Sequence, residues 1–83
     1  MTYTQITITP DRTSKREISE LKLNNLLVQI IILQQSGEDI EFKRVHSEDF
    51  SHLWRYEMVR KCNDKTVKTY FIPSDTEKAW VID

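Results

Sequence analysis

Residues 24–39, NNLLVQIIILQQSGED, hold the densest apolar run of the chain and its only glycine. What this run becomes decides the architecture, because a long helix here makes a helical protein and a strand makes a sheet-built one. Suppose a helix began at the capping-box pattern Ser14-x-x-Glu17 and ran on through Gln35. Its apolar positions Ile18, Leu21, Leu23, Leu26, Leu27, Val28, Ile30, Ile31, Ile32 and Leu33 would then spread around the whole wheel at ~100° per residue. A helix apolar on every side asks to be buried on every side, and 83 residues cannot enclose it. Val28, Ile30, Ile31 and Ile32 are also β-branched, which disfavours helix.

The alternative is a hairpin turning at Ser36-Gly37, with residues 26–35 paired to 39–45. Leu33 then faces Ile40, Ile31 faces Phe42 and Gln29 faces Arg44. The first strand is apolar on both faces and the second alternates, as a covered strand beside a more exposed one should. Gly37 supplies the positive φ of a tight turn. The sequence therefore predicts a strand at 26–35, with one short helix near residues 14 to 23 ended by Asn24-Asn25.

A second hairpin is written in LWRYEMVRKCNDKTVKTYFIP. A turn at Asn63-Asp64 pairs Cys62 with Lys65, Arg60 with Val67, Met58 with Thr69 and Tyr56 with Phe71. It gathers Trp54, Tyr56, Met58, Cys62, Val67 and Phe71 on one face, and Arg55, Glu57, Lys61, Thr66, Lys68 and Tyr70 on the other. Pro73 ends the pairing. Near the start, TYTQITITP alternates as a strand with Thr4, Ile6 and Ile8 on one face. HSEDFSHL reads as a loop or a single turn capped by Ser47. Residues 74–83 carry the pattern Ser74-x-x-Glu77, yet AWVI would also suit a strand. The fold class expected is α+β: one domain over residues 1–83, a small antiparallel sheet of four to five strands with two hairpins, and one short N-terminal helix. Residues 74–83 are expected to form a tail packed on the sheet or on a partner.

Composition narrows the chemistry. A single glycine leaves no room for the glycine-rich phosphate cradles of dinucleotide or P-loop sites. Cys62 has no second cysteine to pair with, so a disulfide scaffold is excluded. No basic segment precedes an apolar one at the N-terminus, and LLVQIIIL is far short of the ~20 residues of a membrane helix. A cytoplasmic setting and no membrane contact are expected. A metal site would have to draw on His46, His52, Cys62, Asp49 and Asp64, whose spacings fit no familiar ligand pattern. Cys62 with His46 or His52 is the only thiol–imidazole pair available. The hairpin register turns that thiol toward Val67 and Met58 as a small core hydrophobe. No catalytic residue, metal or cofactor is expected.

Twelve basic residues against 13 acidic give a net charge of −1, which argues against a strongly electrostatic partner. The expectation is thus a small non-catalytic interaction module, acting through protein contacts or self-association. Trp80, Val81 and Ile82 are the candidate contact residues, since Trp is enriched at binding hot spots. The alternative is a binder of single-stranded nucleic acid. Its strand face would present Arg55, Lys61, Lys68 and Tyr70, pairing phosphate contacts with base stacking.

Overall fold

The computed structural model describes residues 1–50 and 53–80. Five antiparallel strands form one sheet in the order β2-β1-β5-β4-β3. The strands are β1 (Thr2–Ile8), β2 (Thr13–Ser19), β3 (Ile40–His46), β4 (Trp54–Cys62) and β5 (Lys65–Pro73). One helix, α1 (Glu20–Gln35), lies between β2 and β3 in the chain, and a 3-10 turn (Ser74–Ala79) follows β5. The expected class, a small antiparallel α+β sheet, is what the chain adopts.

The hairpin of β4 and β5 has the expected register, with Cys62 opposite Lys65, Arg60 opposite Val67, Met58 opposite Thr69 and Tyr56 opposite Phe71. Asn63 and Asp64 take φ of 48° and 61°, the doubly left-handed turn whose twist matches the strands it joins. β1 also forms where its alternation places it. It sits inside the sheet between β2 and β5, pairing Tyr3 with Ile18 and Pro73.

The reading of residues 14–35 is overturned. Residues 13–19 are strand, and residues 20–35 are helix. Ser19 caps the helix, accepting the amide of Lys22 at 3.1 Å, so the Ser14-x-x-Glu17 pattern caps nothing. No local pattern marks β2, because TSKREIS lies at the sheet edge, where only Ile18 is buried and no alternation is imposed. Gly37 does adopt a positive φ, of 92°, but it ends a helix and does not turn a hairpin. The amide of Glu38 reaches the carbonyl of Leu33 and that of Gly37 the carbonyl of Gln34, both at 3.1 Å. These are the paired bonds of a Schellman cap. Residues 39–45 do form a strand, but its partner is β4, with Phe42 opposite Met58 and Arg44 opposite Tyr56.

The premise behind the discarded helix also fails: its apolar side chains are not all buried. Leu23 and Ile30 point at the sheet and are buried with Tyr3, Ile18, Ile40 and Phe71. Leu26, Leu27 and Leu33 flank them, half-buried. Leu21, Val28, Ile31 and Ile32 stay outside. β-branching costs a helix only tenths of a kcal/mol per residue, too little to outweigh a well-capped helix packed on a sheet.

On the opposite face of the sheet, the 3-10 turn folds back over β1. Thr4 Oγ1 lies 3.2 Å from Ser74 Oγ and donates to Glu77 at 3.3 Å, while Lys15 forms an ion pair with Glu77. Ile6 and Ile72 are buried on this side. Cys62 does not reach the core. It shares the α1 face, but it lies at the turn end of its hairpin, next to Asn63, and is exposed.

The turn geometry is directly testable. Glycine enters the left-handed region without the steric penalty of a side chain. Asp64→Gly should therefore raise stability by up to about 1 kcal/mol, and Asp64→Val should lower it by about 1 kcal/mol or more. Urea denaturation midpoints of the two variants should move in opposite directions.

Candidate interaction surfaces

Strand alternation places Arg55, Glu57, Lys61, Lys68 and Tyr70 together on the sheet face opposite α1. They do not form one basic surface. Arg55 is clasped, its guanidinium 4.6 Å from the Tyr70 ring centre and 4.5 Å from that of Trp80. Its Nη2 donates to Glu57 Oε1 at 3.0 Å, and its side chain is only 15% exposed. The cation that would be central to a phosphate-binding face is thus enclosed between two rings and neutralised by a carboxylate. Lys61 and Lys68 are exposed, but Lys43 shares this face with Glu41 and Glu57, so its charge is mixed.

Trp80 follows the 3-10 turn and lies on the chain's own sheet. With Ile6, Thr13, Lys15, Glu77 and Lys78 it lines an open cleft of about 400 Å³. Its Nε1 is buried and has no hydrogen-bond partner among the described residues, as is also true of Arg55 Nε and Nη1. Val81 and Ile82, the other two residues of the expected contact tail, lie outside the described residues, as does His52. His46, Asp49 and Asp64 are exposed. Among the described residues no three His, Cys, Asp or Glu side chains gather as metal ligands would. No described helix is long and apolar enough to cross a membrane.

The α1 face of the sheet carries an aromatic cluster beside the helix. Phe42 and Tyr56 stack at 5.4 Å, Trp54 meets Tyr56 edge-on at 5.2 Å, and Arg44 lies 4.3 Å above the Trp54 ring. Tyr3 closes the row, 6.1 Å from Trp54. Burial raises the Tyr3 phenol above its ordinary pKa, and Glu20 and Tyr56 add to the effect while Arg44 opposes it.

The surface that sequence reasoning did not mark as a site is the outward side of α1. Leu21 is 71% exposed, Val28 and Ile32 55%, and Ile31 53%. From Leu23 through Gly37 there is no charged residue. The helix holds two charges, Glu20 and Lys22, where the chain average of 30% predicts about five, and solvent-facing helix surfaces are where charge normally collects. The signal was present in the same apolar wheel that argued against a helix. An all-round apolar helix on a small domain has one side for the core and one side left over.

Arg55→Ala should lower stability by about 2–3 kcal/mol, because it takes the cation from between two rings and leaves the largely buried Glu57 with only the longer, exposed ion pair to Lys43 at 3.9 Å. Arg55→Lys should recover only part of that loss, since an ammonium cannot stack flat on both rings. Chemical denaturation of the two variants checks both. The sign for Tyr3 follows from its raised pKa. The folded state holds the phenol proton more tightly, so this contribution is fully present below the ordinary value near ~10 and is lost as pH climbs through the raised one. Stability should fall above pH ~10, and less so in Tyr3→Phe, when thermal midpoints are followed against pH.

The chain matches no known protein family, and no curated protein and no solved structure is significantly similar to it.

Proposed function

We propose that this chain is a small non-catalytic interaction module that works through protein contacts, with the outer side of α1 as its contact surface. The observation that carries this reading is the charge-free stripe of Leu21, Val28, Ile31 and Ile32, each more than half exposed. Depletion of charge combined with clustered apolar side chains marks the centre of protein interfaces. The stripe stands on a rigid element, since α1 is capped at both ends and fixed to the sheet by Leu23 and Ile30. A contact surface on such a frame loses little conformational freedom on binding. By contrast, Trp80 is engaged with Arg55, and the nucleic-acid reading loses Arg55 to the same clasp.

A photo-crosslinking amino acid placed at Ile32 should give discrete protein adducts under native conditions in its host, whether with another copy or with a different protein. The same probe at Lys68, on the opposite face, should give none. Equal or absent crosslinking at the two positions would remove α1 as the contact surface. Binding of a single-stranded oligonucleotide that falls steeply with salt would favour the basic-face alternative.

A further inference from the structure

We infer that the partner of the α1 surface is a second copy of this chain, docked helix on helix about a two-fold axis. The inference rests on the interaction-module reading above and adds the identity of the partner. At ~100° per residue the outward arc of α1 contains Ile31, Asn24, Gln35, Val28, Leu21, Ile32 and Asn25, all within about 120°. This set is four apolar side chains and three amides, with no charge. Leu21, Asn24, Val28, Ile31 and Gln35 follow alternating steps of three and four, the seam spacing of paired helices.

The chemistry of that arc fits its own copy. A carboxylate or an ammonium repels its symmetry mate, whereas an amide is both donor and acceptor and can bond to another amide. A face of amides and aliphatic groups is therefore self-complementary, as an isologous interface must be. A partner selected by charge would find nothing to grip between Leu23 and Gly37. A lipid surface fits no better, because membrane-surface helices flank their apolar side with Lys and Arg, and α1 has only Lys22. Amides set among apolar seam positions also fix register, since a slipped pairing would bury them unbonded.

The area is consistent with a reversible dimer. Four half-exposed aliphatic side chains and three amides amount to roughly 600 Å² per copy, somewhat below the ~800 Å² per partner of a standard interface. Two-fold pairing of a single helix face closes on itself, so the sheet edges take no part and the assembly stops at two.

Sedimentation across the micromolar range should show the mass rising from 9.9 kDa toward twice that value. Val28 lies at the middle of α1, beside the expected axis, and its exposure means that Val28→Glu should leave the fold and the denaturant midpoint of the monomer unchanged. That variant should stay monomeric throughout, as should Val28→Lys. An equimolar mixture of the two should regain dimer, because opposite charges then meet across the axis. Lys68→Glu should dimerise like the parent chain. A parent chain that remains monomeric at the highest concentration overturns the inference. So does a dimer that survives Val28→Glu, or a Glu–Lys mixture that stays monomeric. If the parent is monomeric while Ile32 still crosslinks to a different protein, the second-copy inference fails and the interaction-module reading stands. If neither occurs, both fall.

Discussion

One covalent constraint organises the molecule: α1 must carry the chain from one edge of the sheet to the other. It leaves β2 at one edge and delivers β3 at the opposite edge, with β1, β5 and β4 in between. Four inter-strand steps of ~4.8 Å make a span of about 19 Å, and 16 helical residues at ~1.5 Å reach about 24 Å. The helix is as long as the crossing requires. Its packing follows from this, because a rod laid across five strands touches each at only one or two positions. The buried core is accordingly a row with one side chain each from four strands, Ile18 from β2, Tyr3 from β1, Phe71 from β5 and Ile40 from β3, met by Leu23 and Ile30. Phe42 of β3 and Trp54, Tyr56 and Met58 of β4 are partly buried against it. Positions farther along each strand, such as Cys62, lie beyond the helix and stay in water.

The opposite face shows what the sheet does without a second helix. Ile6, Ile72 and Thr4 near its centre need cover, and the 3-10 turn and Trp80 supply it over part of the surface. Arg55 completes this cover through its contacts with Tyr70 and Trp80. Its flat cation serves here as a filling layer between two rings, with Glu57 balancing the charge. The basic strand face thereby has a structural account. Arg55 stabilises the fold, and the lysines farther along the same face remain solvated.

How much of this was legible depends on how local the deciding interaction is. The register of β4 and β5 could be read residue by residue, because both strands alternate and Asn63-Asp64 admits only one tight turn between them. β2 could not, because its position at the edge leaves Lys15, Arg16 and Glu17 unconstrained by any core. Gly37 announced a positive φ correctly, but the same backbone state serves a hairpin turn and a helix end, and only the surrounding contacts choose between them. For α1 the error lay in an assumption about solvent, that apolar side chains must be buried within the chain itself. Removing that assumption makes Leu21, Val28, Ile31 and Ile32 informative. Trp80 was legible as a residue needing cover, while the Arg55 beneath it depends on a return of the chain that no local pattern encodes.

The distribution of charge gives the exposed stripe its meaning. Sheet edges are where small β proteins risk uncontrolled association, and this chain guards both of them. β2 carries Lys15, Arg16 and Glu17, and β3 carries Glu41, Lys43 and Arg44. Charge is thus placed where open-ended growth would start. On α1, one lysine or glutamate at Val28 or Ile32 would protect the surface at no cost to the core, since neither side chain contributes to it. A helix packs by its sides and has no unpaired backbone to propagate, so an apolar stripe there can be satisfied by one partner and then closed. Leaving the helix bare while guarding both edges is the pattern expected when association is limited to a single face.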